Sequence, residues 1–175
     1  MISKHQKVSI ENTRFIFTTN FSGDPSRDRF GSNKRRVNLV LTEDMAHHLM
    51  AMGVTVKQTR PNPEKIYDEP FVPTYFVPVN VNMESKWPPH VYWVTTTGKK
   101  LLCDIDMVGQ LDYIRVKNVN CLCNLVEKRN NPGEFSLYAD VMYMEQDVDS
   151  DPYAARYAAP EANMAEPATG NDLPF

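Results

Sequence analysis

Cysteine is scarce and odd in number, three in 175 residues, so the chain offers no disulfide framework and fits a reducing compartment. Long apolar runs are missing as well. No stretch is long enough to span a membrane, and the opening "MISKHQKVSI" lacks the apolar core of a secretory signal. Internal repeats, a phosphate-cradling Walker A loop, a dinucleotide fingerprint and a nucleophile elbow are all absent. The four histidines make no zinc motif, because His47 and His48 are adjacent while His5 and His90 lie far away. Cys121 and Cys123 share a strand parity and supply only two ligands, even with Cys103 nearby. Asp104 and Asp106 are paired carboxylates in a turn-rich stretch without further polar partners. These gaps argue against a metal, a cofactor and catalysis: no enzyme is expected.

What is present is a division of charge that the total conceals. The formal net charge is -3, yet residues 1–41 carry 8 Lys and Arg against 3 Asp and Glu. Residues 145–175 carry 1 Arg against 7 acids. A basic body and an acidic tail therefore cancel, and the basic body is the part that bears on partners.

The periodicity predicts an all-β body. "KVSIENTRFIFTTNF" (7–21) has the composition of one long strand, with Phe15, Phe17 and Phe21 on one parity and Val8, Ile10 and Ile16 on the other. A loop over 22–35 and a strand "RVNLVLT" follow. Residues 42–53 predict the one helix, with Thr42 as N-cap, Glu43 and Asp44 in the first turn, and Gly53 at its end. After a proline-rich loop (60–73), Tyr75, Val77, Val79, Val81 and Met83 alternate as a strand whose Pro78 marks an edge or a bulge. "HVYWVTTTGKKLL" is a strand, a turn and a strand; "DIDMVGQLDY" is a helical turn; two final strands flank "RNNPGE". Seven or eight strands and one short helix, with long loops, favour a small OB-like barrel over residues 1–146. Residues 147–175, rich in Ala, Pro and acids, read as a disordered acidic tail.

Cations and rings interleave in this body. Arg14, Arg27, Arg29, Lys34, Arg35 and Arg36 concentrate in the first hairpin, among Phe15, Phe17, Phe21 and Phe30. A second group of rings comprises Tyr75, Phe76, Trp87, Tyr92 and Trp93. Cationic side chains neutralise phosphates, and flat rings accept unpaired bases of any identity at about 1–3 kcal/mol per stacked base. That pairing makes all of these candidate contacts to a single strand. Alternation also sets a limit, since of Tyr92 and Trp93 only one can face outward.

The tip "NDLPF" resembles the acidic C-terminal end of bacterial single-stranded-DNA-binding proteins. "RFIFTTNFSG", "NKRRVNLVL", "GVTVK", "YFVPVNV", "PPHVYWVT" and "YADVMYMEQD" resemble a group of bacteriophage single-stranded-DNA-binding proteins with an elaborated OB fold. The resemblance implies non-sequence-specific binding and protection of single-stranded DNA in phage replication and recombination, in the cytoplasm of the bacterial host. It also implies that Asp172, Leu173, Pro174 and Phe175 recruit replication or recombination proteins; no membrane is involved, and self-association stays open. The alternatives are a single-stranded-RNA binder or RNA chaperone, and a viral structural or adaptor protein. Removal of residues 147–175 is expected to leave the body folded and to preserve or tighten oligo-dT binding at low salt. Loss of folding on truncation, seen by circular dichroism, would place the domain boundary elsewhere.

Overall fold

Strict two-residue alternation of small branched and polar side chains leaves a strand one apolar face, and sheets form to cover that face. The computed structural model describes residues 6–147. Its strands are β1 (Lys7–Thr13), β2 (Arg36–Leu41), β3 (Lys57–Gln58), β4 (Tyr75–Asn80), β5 (His90–Val94), β6 (Lys100–Cys103), β7 (Val116–Glu127) and β8 (Phe135–Gln146). One α-helix, α1 (Glu43–Ala51), and two short 3-10 helices, Pro25–Arg27 and Val108–Tyr113, complete the described elements. The core is filled from one parity of each strand: Val8 and Ile10, then Val37, Leu39 and Leu41, then Val119, Cys121, Cys123 and Leu125. On β8 the inward set is Leu137 and Ala139 and then Met142 and Met144. The change of parity follows a register shift, because Leu122 faces Val141 while Cys123 faces Ala139, leaving Asp140 as the extra residue of a bulge.

The strand order is β1-β7-β8-β4-β2, with β3 added to β4, and β5 joined to β8 and carrying β6. β4 and β5 both run parallel to β8, at Leu137–Tyr138 and at Val141–Glu145 respectively. Pro78 has a physical explanation in this order. β4 is held by β3 at Tyr75 and Phe76 and by β8 at Val79 and Asn80, so Pro78 sits in the gap between them, where no N–H is required on that side.

The helix forms as its residues dictate. Thr42 accepts from the Met45 N–H at 3.1 Å, Leu49 and Ala46 are buried, and Met45 and Met52 pack beside them. Gly53 ends it at φ 92°, where its carbonyl accepts from the Phe135 N–H at 2.9 Å. No helix among the described residues is long and apolar enough to cross a membrane.

The sheet departs from the expected OB-like barrel. Closure would need β1 and β2 to be laddered together, with one strand running from residue 7 to 21. Instead β1 ends at Thr13, and the chain beyond it meets β2 only at the isolated bridges Phe15 to Leu39 and Asn20 to Arg36. Between those bridges Phe17 takes φ 65°, a left-handed turn that no ladder can continue through. The result is an all-β sheet with a short helix and long loops that is not closed into a true barrel. The tail from residue 148 onward, including Asp172–Phe175, lies outside the described residues.

Gly53 supplies a test of this packing. A Cβ there would approach the Gly133 carbonyl oxygen to 2.4 Å, on a backbone that L side chains rarely adopt. Gly53→Ala is expected to lower the unfolding free energy by at least about 1–3 kcal/mol in urea titrations, from backbone strain alone. An unchanged midpoint would contradict the close approach of the helix end to β8.

Candidate nucleic-acid interface

Residues directly opposite in a sheet share a face, so the pairings fix which side chains stand together. On the solvent side of β2 and β4, Arg36 opposes Asn80, Asn38 opposes Pro78 and Val40 opposes Phe76. Lys57 of β3 opposes Phe76 from the other edge. The segment after β1 extends the same rows: the Val40 N–H donates to the Arg14 carbonyl, and the Ile16 N–H donates to the Asn38 carbonyl, each at 3.0 Å. One row therefore reads Lys57, Phe76, Val40, Arg14, with a cation at each end and an apolar centre. Phe15, bridged to Leu39, points the other way, where it packs on the core and meets Phe21 edge-on at 5.7 Å.

Phe17 stands over that centre. Its ring meets the Phe76 ring edge-on at 5.0 Å, yet 62% of the residue is open to solvent while Phe76 is 9% exposed. A phenylalanine with a positive φ costs about 1–3 kcal/mol of backbone strain. The local network that imposes it is visible. The Asp112 carboxylate, its side chain fully buried, accepts from the Phe21 N–H at 2.7 Å, the Ser22 N–H at 3.1 Å and the Thr19 hydroxyl at 2.8 Å. Asn20, also buried, accepts through its side-chain oxygen from the Gly23 and Asp24 N–H groups at 2.9 and 3.1 Å.

The loop over 22–35 is held open in the same manner. Asp28 accepts from the Ser32 N–H at 3.0 Å and the Phe30 N–H at 2.8 Å, and these two bonds hold its carboxyl below the usual carboxylate range. A depressed carboxylate contributes order above its ordinary pKa and loses it as pH falls through the lowered value, so this loop is intact at neutral pH. It presents Phe30, 87% exposed, with the Arg29 guanidinium 5.5 Å from its ring centre, and an exposed Lys34.

The other sequence-derived candidates fall in several places. Phe21 is fully buried and belongs to the core. Arg35 is mostly buried and acts as a pin, donating to the Phe21 carbonyl and, at 3.3 Å, to Glu84. Arg27 is tied to the Thr19 carbonyl at 2.9 Å and paired with Asp112 at 3.4 Å. Tyr75 lies on the core parity, edge-on to His47 at 5.9 Å. Trp87, 82% exposed beneath the Lys86 ammonium, precedes β5. Tyr92 stacks on Tyr143 at 4.7 Å, with the Lys100 ammonium 4.8 Å from the Tyr92 ring, whereas Trp93 turns toward the core and donates to Gln146 at 3.0 Å. The structure thus brings Arg14, Phe17 and Arg36 onto one face, presents Arg29, Phe30 and Lys34 on the adjoining loop, and places Tyr92 and Trp93 on β5 with Trp87 in the turn before it.

Lys57, Lys100 and Tyr143 stand outside the sequence-derived set, whereas Phe76 belongs to its second group of rings. Phe76 has the wrong parity for a core residue of its strand, and Tyr143 alternates with Met142 and Met144, which is the signal each carried. The remaining reactive groups are structural. Asp104 caps its turn by accepting from the Asp106 and Met107 N–H groups at 3.0 and 2.8 Å. The Cys121 and Cys123 sulfurs lie 3.5 Å apart in the core, where their hydrogen bond and burial raise the Cys121 thiol well above its ordinary pKa. Burial likewise pushes Cys103 up to about 11. Among the described residues no group of three or more His, Cys, Asp or Glu could hold a metal ion.

A family model described as "Putative phage ssDNA-binding domain" matches residues 2–172. Among solved structures, the single-stranded DNA-binding protein from bacteriophage Enc34 is similar at TM-score 0.45 and 9% identity, covering 81% of each chain. Its C-terminal truncation gives 0.46 and 10%, covering 82% of this chain and 86% of that one. The single-stranded DNA binding protein gp2.5 encoded by bacteriophage T7 gives 0.39 and 10%, covering 91% and 97%. No curated protein matches the chain.

The Asp112 network yields its own test. Asp112→Ala removes the acceptor of two backbone N–H groups and of Arg27, and is expected to cost on the order of 2–5 kcal/mol of stability. The Phe21 and Ser22 amides should exchange with solvent faster than neighbouring core amides. Unchanged exchange at those two positions would show that the carboxylate does not hold the turn.

Proposed function

The chain belongs to the phage single-stranded-DNA-binding domain family, and from that premise we propose how it holds its ligand: a single strand lies across the outer face of β2 and β4. The protein binds and protects single-stranded DNA, and it is not an enzyme. The observation that carries the proposed site is Phe17, kept exposed at backbone expense over Phe76, with Arg14 and Lys57 at either end of the same row. Rings at such a site stack only on bases that have no pairing partner, whereas cations alone would accept a duplex equally well. Arg29, Phe30 and Lys34 continue the path along the loop, and Arg36 follows two residues along β2 from Asn38. Because stacking and phosphate contacts are indifferent to base identity, binding is independent of sequence.

The finer role is also a proposal. The protein coats exposed strands during phage DNA replication and recombination in the cytoplasm of the bacterial host. The acidic segment 147–175 competes weakly with DNA for the basic face, and Asp172, Leu173, Pro174 and Phe175 engage a replication or recombination protein. A short apolar tip with a neighbouring carboxylate suits a small greasy pocket rimmed by a basic residue.

Two substitutions separate the parts of the site. Joint replacement of Arg14, Arg36 and Lys57 by Ala should weaken oligo-dT binding and reduce the slope of log affinity against log salt by about 2, at about 0.7 per phosphate contact on a single strand. Phe17→Gly should leave that slope unchanged and cost about 1–3 kcal/mol of binding. Its stability should stay within about 1 kcal/mol of the parent, since relief of the left-handed strain offsets loss of the ring contact. Fluorescence titration with oligo-dT and duplex DNA at two salt concentrations reads all of this. Equal affinity for duplex, or full affinity in Phe17→Gly, would refute the proposed stacking face.

A further inference from the structure

Beside Phe17 the surface opens into a cleft of about 260 Å³. Phe17 and Thr18 form part of its lining, Ile114 and Val116 supply apolar surface, and Thr19, Arg27 and Asp112 line its polar side. Arg27 is no ordinary surface cation. Its Nε donates to the Thr19 carbonyl at 2.9 Å and lies 3.4 Å from the Asp112 carboxylate, and its Nη2 donates to the Asp112 carbonyl at 3.4 Å. The Tyr113 ring centre lies 5.2 Å from the guanidinium carbon. Nη1 has no hydrogen-bond partner among the described residues. The plane is thus fixed, its charge is already met by a buried carboxylate, and the two N–H donors of Nη1 are left over.

Resting on the single-strand reading above, we infer that this cleft receives one unstacked nucleobase of the bound strand. The chemistry favours a base over a phosphate. The guanidinium's charge is spent on Asp112, so a second anion gains little there, while the apolar surface and the flat guanidinium suit a planar aromatic group. A free Nη1 donor matches a ring carbonyl such as those of thymine, an acceptor whose loss of water it would replace. Phe17 borders both this cleft and the outer face of β2 and β4. A strand crossing the face can therefore turn one base inward around that ring while its neighbours stay on the sheet.

Filling the cleft tests the inference without touching Arg27, Asp112 or Phe17. Thr18 lines the cleft and is exposed, so Thr18→Trp can occupy the space with little effect on folding, which thermal unfolding would verify. Two ligands of equal length serve as probes, oligo-dT and an abasic deoxyribose-phosphate strand, which carry the same phosphates. Thr18→Trp is expected to lose affinity for oligo-dT on the order of tenfold, the worth of one base, with the salt slope unchanged. Its binding to the abasic strand should equal that of the parent, and Thr18→Ala should match the parent on both probes. Full oligo-dT affinity in Thr18→Trp, or an equal loss on both probes, would overturn the cleft as a base site. A loss in Thr18→Ala as large as that in Thr18→Trp would overturn it too. The outcome for the single-strand reading is separate, because that reading is tested on the unsubstituted protein and falls if it binds duplex DNA as tightly as oligo-dT.

Discussion

A carboxylate buried out of reach of water must be surrounded by donors or it destabilises the fold, and Asp112 is so placed. Its oxygens gather the Phe21 and Ser22 N–H groups, the Thr19 hydroxyl and the Arg27 guanidinium from a segment some ninety positions earlier in the chain. That convergence fixes where residues 19–22 must run. β2 fixes residues 14–16 from the other side, through the Arg14 and Asn38 carbonyls. Phe17 and Thr18 have to connect the two, and the left-handed backbone at Phe17 is how the connection is made. The open edge of the sheet, the exposed ring and the cleft beside it all descend from that one demand.

The cost falls at one residue and the benefit is an aromatic side chain that cannot retreat into the core. A base offered to such a ring meets a surface already in position, with little side-chain freedom left to lose. Around it the cations are graded by exposure. Arg35 and Arg27 are locked into the fold, Arg36 is half-buried on the face, and Arg14, Lys34 and Lys57 reach into solvent. Long-range attraction to phosphate comes from the exposed set, while the pinned set shapes the ground on which bases settle.

Most strands were legible in the sequence because their alternation is strict, and so were the Thr42 cap and the turn at Gly53. The first strand was not. Phe15, Phe17 and Phe21 have one parity, which in an unbroken strand sends all three to one face. The structure sends Phe15 and Phe21 inward and Phe17 outward, which is possible only because the strand breaks between them. Nothing at Phe17 announces the break: glycine or asparagine would have marked a left-handed residue, and phenylalanine does the opposite. The same break explains why an expected closed barrel is an open sheet. Lys57 escaped notice for another reason: "VTVKQT" reads as a strand, but only the pairing of Lys57–Gln58 with β4 sets that lysine beside Phe76. Among adjacent arginines the sequence could not say which would be spent as a pin. That was settled by the Phe21 carbonyl and Glu84, which are brought to Arg35 only by the fold.

The central claim is positional: bases lie against Phe17 on the outer face of β2 and β4. Photocrosslinking of iodouracil-substituted oligo-dT to the full chain, with the adducts mapped by mass spectrometry, addresses it most directly. The expected adducts concentrate on Phe17 and Phe30, in peptides from the first hairpin and its loop. Adducts confined to the β5 and β8 side, on Tyr92 and Tyr143, would contradict the account.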